Sequence, residues 1–233
     1  MVYTHLERVR LLHPLLAPVA QLDQSIWLRT ITLRVQVSPG VLKEKKMYND
    51  EFKYELESIN SLEIRKFTLT MLENAPDYFW KIPASNTGKY HPKDELGEGG
   101  TVLHTRKAVK IGNELCRAFN IREVPRDCIL SAILIHDLCK NGYPDNAGFM
   151  VQGHGYLLTN IATKAKIFNP DQPEVYPYIV LSLASTHMGR WDHPYSTAEP
   201  SSTSQLIVQL ADYFVSRRYV SIDLNPGVIE NKV

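Results

Sequence analysis

Cysteine is scarce in this chain of 233 residues: Cys116, Cys128 and Cys139 are the only three. An odd number without close pairing gives no disulfide framework, and a chain of this length can build a core without one. The expected setting is therefore the reducing cytoplasm, in keeping with a start that does not read as a signal peptide. Excess charge is absent too, with 26 Lys and Arg against 25 Asp and Glu and a formal net charge of +1. No global basic field advertises a nucleic-acid or membrane surface, so any anion site must be local. No apolar run approaches the roughly 18–20 residues of a membrane-spanning helix. Neither internal repeats nor low-complexity stretches occur. What is there has ordinary globular composition, 44% hydrophobic and 22% charged, as in a soluble domain with or without an appendage.

The first 46 residues stand apart. Leu11 to Leu22 is apolar with two prolines, and Ile31, Leu33, Val35 and Val37 alternate with Thr32, Arg34 and Gln36 in the pattern of a strand. Two readings of residues 1–46 stay open. One is a β-like or disordered extension. The other starts from the gene: codons for Lys43-Glu44 can spell a purine-rich ribosome-binding run, with Lys45-Lys46 as the spacer before the ATG of Met47. Residues 1–46 would then be upstream sequence and not protein. From Met47 the spacing predicts consecutive helices over 49–59, 61–79, 101–119, 128–139, 155–168, 174–187 and 202–218. A polar loop covers 80–100, the helical domain runs over 47–218, and 219–233 forms a loose tail. Helix 101–119 should bury Ala108, Ile111, Leu115 and Phe119. Helix 128–139, apolar nearly all round and preceded by Pro125 at an opening position, should be the buried centre.

That central helix delivers an anomaly. Ile129, Leu130, Ala132, Ile133, Leu134 and Ile135 lead into two adjacent ionisable residues, His136-Asp137. Burying both costs on the order of several kcal/mol unless they are paired or bind a metal. His104 shortly after Gly99-Gly100, His154 between glycines, His187 at a helix end and Asp212 inside an apolar run hold comparable positions. A helical bundle aims metal ligands inward from such places. Neutral imidazole and carboxylate suit Mn, Fe, Co, Ni or Zn. Six ligands are too many for one ion that keeps places for water and substrate, so two divalent ions are expected. Asp137 is then the bridging ligand and a bridging hydroxide the nucleophile.

The order His…His-Asp…His…His…Asp resembles the HD superfamily of metal-dependent phosphohydrolases, all-helical domains named for the adjacent pair, over roughly Trp80 to Arg218. The resemblance implies that His104, His136, Asp137 and Asp212 are core metal ligands and that His154 and His187 are the two further histidines of the dinuclear branches. It also implies a role for Lys140, the last residue of the His-Asp-x-x-Lys run His136-Asp137-Leu138-Cys139-Lys140, as a contact to a substrate oxyanion. The lead-in, with Pro83-Ala84-Ser85, His91 and Gly99-Gly100, is similar to HD domains of bacterial exoribonucleases and conjugation proteins. The resemblance is read without the Gly-Tyr-Pro signature of the cyclic-di-GMP phosphodiesterases, so their substrate is not implied.

The leading function is hydrolysis of a phosphomonoester or phosphodiester of a nucleotide, cyclic nucleotide or short oligonucleotide, with Asp137 and Lys140 catalytic. Arg190 and His193, in the loop after His187, are candidate substrate contacts beside Lys140, since a guanidinium suits bidentate phosphate binding. A surface salt bridge is the alternative for Arg190, and helix capping for Lys140. His91, Lys89 and Lys93 read better as solvated loop residues than as a substrate rim. Trp80, Trp191, Tyr90, Tyr143 and Tyr195 could stack a base or simply pack. The rival functions are an HD-fold oxygenase with a mixed-valence di-iron centre, which shares the six-ligand order, and a nucleotide-binding sensor module. Partners are the phosphate-ester substrate and a short single strand of nucleic acid, without a membrane. The oligomeric state is open.

Overall fold

The computed structural model describes residues 51–171, 174–192 and 199–224. The strand expected at 31–37, the junction at Met47 and the end of the tail lie outside them. Among the described residues the chain is all-helical, with α1 (Lys53–Glu57), α2 (Leu62–Glu73), α3 (Gly100–Ala118), α4 (Glu123–Ile135), α5 (Leu158–Lys164), α6 (Val175–Ser185) and α7 (Thr203–Val215). Short 3-10 turns occupy Asp77–Trp80, Lys93–Glu95, His154–Leu157 and Gly189–Trp191.

Helix α4 is the centre that its apolar circumference predicts. Every residue from Asp127 to Ile135 is buried, and α2, α3, α6 and α7 all pack against it. Asp127, the one acid among them, is compensated: its Oδ2 accepts from the backbone N–H of Ser61 at 2.7 Å and its Oδ1 from Arg126 at 3.2 Å. Ser61 in turn caps α2, its hydroxyl accepting from Ile64 N–H.

Helix ends differ from the periodicity where local chemistry intervenes. Helix α2 stops at Glu73 and not near Phe79, because Pro76 disfavours helical conformation at Ala75 and offers no N–H. Helix α4 stops at Ile135, four residues short of Cys139, because the His136 ring takes the Ile133 carbonyl and the chain continues through i−3 bonds, Leu138 to Ile135 and Lys140 to Asp137. Helix α3 is rolled relative to expectation. Its buried face carries Thr101, Thr105, Ala108, Val109, Gly112 and Cys116, while Ile111 and Leu115 are half-buried and Phe119 is 47% exposed. The reason is Gly112, where a Cβ would stand 2.2 Å from Ile133 Cδ1 and 3.7 Å from Ala211 Cβ. Small residues let α3 close onto α4 and α7, and the larger side chains are left on its shoulder.

Candidate metal centre

The three histidines of the connecting turns are held by one device. His136 Nδ1 donates to Ile133 O at 2.6 Å, His154 Nδ1 to Val151 O at 2.9 Å and His187 Nδ1 to Ala184 O at 2.7 Å. A carbonyl only accepts, so each neutral ring carries its proton on Nδ1 and turns a lone pair at Nε2 inward. His104, on α3, is braced instead by a carboxylate: its Nδ1 lies 3.1 Å from Glu95 Oε2 and its Nε2 3.0 Å from Asp212 Oδ1 on α7. Fixing the outer nitrogen by hydrogen bonding is the usual support of a metal-bound imidazole.

The inward atoms converge. Ligand atoms of His104, His136 and Asp212 lie within 4.8 Å of one another, as do those of His136, Asp137 and His187. His154 Nε2 stands 3.1 Å from Asp137 Oδ1 and 2.9 Å from His187 Nε2. All four rings are at most 1% exposed, and Asp212, at 21%, marks the side open to solvent. His136 Nε2 is buried without a hydrogen-bond partner, at 3.6 Å from Asp137 Oδ2 and 3.9 Å from Asp212 Oδ1. A proton between His154 and His187 would satisfy that pair alone and leave His136 Nε2 orphaned. Cations satisfy all three, and 2.9 Å is close to the edge of an octahedral ligand set with metal–nitrogen bonds of about 2.1 Å. The donor set fits divalent metal.

Electrostatics divide the centre. Burial, with His154 and His136 adding their own charge, pulls His187 down to about 3. Burial also lowers His136, against the pull of Asp137 and Asp212. His104 is equally buried, yet its bonds to Asp212 and Glu95 overcome desolvation and raise it to about 9. Both aspartates are held below the ordinary carboxylate range despite burial, Asp137 chiefly by Lys140 and His136, Asp212 chiefly by its bond to His104.

Residues 101–216 match the family model of the HD domain. The chain belongs to the HD-domain family. Neither the curated proteins nor the solved structures give a match. HD domains are mostly metal-dependent phosphohydrolases, and the buried His/Asp clusters supply what such a hydrolase-type site needs. The matched stretch contains all six side chains drawn from the HD order, His104, His136, Asp137, His154, His187 and Asp212, and the structure brings all six together. Lys140 joins them, its Nζ 2.6 Å from Asp137 Oδ2. Arg190 does not: it is exposed on the Gly189–Trp191 turn, its guanidinium 4.7 Å from the Trp191 ring centroid. His193 and Tyr195 lie outside the described residues. Gly142-Tyr143-Pro144 follows Lys140-Asn141 directly, which corrects the expectation that a Gly-Tyr-Pro tripeptide is missing. Tyr78 bonds to the Gly142 carbonyl there at 2.6 Å.

Two parts of the HD site fall outside the matched stretch or off the expected face. Glu95 is fully buried and accepts from His104, from His91 at 3.0 Å and from Lys107 at 3.0 Å. Lys107, a lysine on α3, is 4% exposed and also bonds Asp94. His91 is a member of this cluster, its side chain 13% exposed, and not a solvated loop residue. Gly100 makes the arrangement possible, since a Cβ there would lie 2.0 Å from Glu95 O. The Gly99-Gly100 pair was the sequence signal; nothing about Glu95 itself distinguishes it from other loop acids. No helix among the described residues is long and apolar enough to cross a membrane.

Proposed function

We propose that this HD domain is a dinuclear phosphohydrolase that cleaves a phosphomonoester or phosphodiester of a nucleotide, cyclic nucleotide or short oligonucleotide. The observation that carries the reading is the set of inward Nε2 atoms without protons to share, His136 orphaned and His154 facing His187 at 2.9 Å. His104, His136 and Asp212 would hold one divalent ion, His154 and His187 the other, with Asp137 between them. Such ions supply Lewis acidity to the phosphate oxygens and lower the pKa of a water.

The chain's own contribution is orientation, charge and dryness. Backbone carbonyls and Glu95 lock the ring tautomers, so no reorganisation is needed when the ligands are used. Lys140, 12% exposed, holds an ammonium beside Asp137, where it neutralises charge building on a phosphoryl group. Arg190, on the exposed turn after His187, and His193, three residues on in the sequence, are proposed as substrate contacts. The scarcity of cysteine supports a cytoplasmic setting.

The test incubates the full chain, aerobically and anaerobically, with Mn, Co or Fe and a panel of nucleotides and phosphodiesters, with products read by mass spectrometry beside Asp137→Ala. Release of phosphate or a nucleoside phosphate without oxygen, lost in the variant while helical folding is retained, is the expected result. Full activity in Asp137→Ala, or oxygen-dependent oxidation of a different substrate set with iron bound, would overturn the proposal.

A further inference from the structure

Three cations and three rings join into one continuous strip. The Arg190 guanidinium lies 4.7 Å from the Trp191 centroid, Trp191 stacks on Tyr213 at 5.6 Å and 20°, and Arg217 sits 4.4 Å from Tyr213 and 5.0 Å from Tyr90. Lys89 closes the series, 5.0 Å from Tyr90. Each ring is tied to the site by the chain. Tyr90 precedes His91, Tyr213 follows Asp212, the most open of the six metal-site residues, and Trp191 stands four residues after His187.

Two features set this strip apart from packing. Trp191 and Tyr90 are 48% and 50% exposed, an unusual cost for rings that could have been buried. Arg217 is clasped between two tyrosines; among the described residues its buried Nε has no hydrogen-bond partner, and its guanidinium donates from Nη2 to Ser216 Oγ at 2.9 Å. Among the described residues neither Arg190 nor Arg217 makes an ion pair with a carboxylate, although the chain has acids to spare. A positioned guanidinium without an anion is completed by a phosphate from outside.

We infer that this strip, Arg190, Trp191, Tyr213, Arg217, Tyr90 and Lys89, binds a single-stranded oligonucleotide whose reacting phosphate lies at the centre. The inference rests on the phosphohydrolase reading for the reaction and narrows its substrate class. A mononucleotide needs one ring and one cation. Three rings and three cations in one strip match a strand, which presents several phosphates and unstacked bases. A duplex keeps its bases stacked inside and has no faces to offer the rings.

The experiment uses the full chain in chelator, where binding is read without turnover. Fluorescence anisotropy compares a labelled oligouridylate series, competition by uridine monophosphate, and a duplex of matching length. Affinity should rise with strand length, exceed that of the mononucleotide and exceed that of the duplex. Arg217→Gln and Trp191→Ala should each weaken the oligomer about tenfold. Arg217→Gln should also flatten the plot of log K against log salt by about 0.7, and Arg217→Lys should keep the slope. Circular dichroism checks each fold, and Trp191→Phe, which keeps a ring face, replaces Trp191→Ala should the latter unfold; it should bind more weakly than the native chain but measurably. Affinity independent of length, equal binding of the duplex, or an unchanged salt slope in Arg217→Gln would overturn the inference. Length-dependent binding without turnover of any ester keeps the strip and removes the hydrolase. Turnover of mononucleotides with length-independent binding does the reverse.

Discussion

The two sides of the centre solve one problem differently. His136, His154 and His187 lean on carbonyls of their own chain three residues earlier, so each brace is local and neutral. His104 leans on Glu95, a carboxylate delivered by a separate loop and itself shared with His91 and Lys107. The electrostatics differ as well: burial with repulsion from His154 and His136 takes His187 to about 3, while bonds to Asp212 and then Glu95 carry the equally buried His104 to about 9. A carbonyl orients an imidazole without changing its charge preference much, whereas a carboxylate both orients it and makes it more basic. The centre therefore combines His136 and His187, which burial disfavours as cations, with His104, which favours a proton until a metal displaces it.

The largest break is at the residue common to both sides. Asp137 reaches His154 and His187 through Oδ1 and faces Lys140 and His136 through Oδ2. Asp137→Ala should cut turnover on the order of a thousandfold, the kinetic equivalent of several kcal/mol, in a steady-state assay with saturating metal. Glu95→Gln acts on one side only. It removes the charge while keeping an oxygen near His104, and should weaken one of two metal-binding steps by about 10–100-fold in calorimetry, leaving the other unchanged. An equal loss in both steps would show that the sides are not independent. Gly100→Ala should move the same step in the same direction by less, about tenfold, because a Cβ there, 2.0 Å from Glu95 O, would push the Glu95 backbone away without removing the carboxylate.

The same division decides what could be read from the sequence. All six inward side chains are visible there, because each interrupts an apolar helix or stands at its end, and a buried polar residue is conspicuous against Ile129 to Ile135. The carbonyl braces come free with those positions, since the partner is always three residues back. Glu95 is invisible by the same logic: its partners His91, His104 and Lys107 are joined to it by tertiary folding, and a loop acid carries no periodicity. Lys107 misleads because a lysine on a helix is ordinarily solvated, and here one buried carboxylate reverses that. Helix α3 misleads in the opposite sense. Leu115 and Phe119 look like core by hydrophobicity, but the close crossing at Gly112 selects the face of small residues.

The smallest effect is the pH dependence of the metal-free chain, with an acid limb from lowered histidines and an alkaline limb from His104. His187 is lowered, so between its folded value of about 3 and the ordinary 6.5 the unfolded chain binds more protons, and stability falls as the solution is acidified below 6.5. The lowered carboxylates add to that acid limb only at still lower pH. His104 is raised, so between 6.5 and about 9 the folded chain holds the extra proton, and its contribution, complete below 6.5, is lost as pH rises through 9. Melting temperatures in chelator should therefore peak near pH 6.5 and decline by a few degrees on the alkaline side. Glu95→Gln, which withdraws one of the bonds that raise His104, should shallow the alkaline limb and leave the His187 part of the acid limb in place. Saturating divalent metal should invert the alkaline limb, because a ligating imidazole must be neutral and metal affinity grows as its proton leaves. An alkaline limb that survives metal saturation would mean that the proton on His104 is not what the metal displaces.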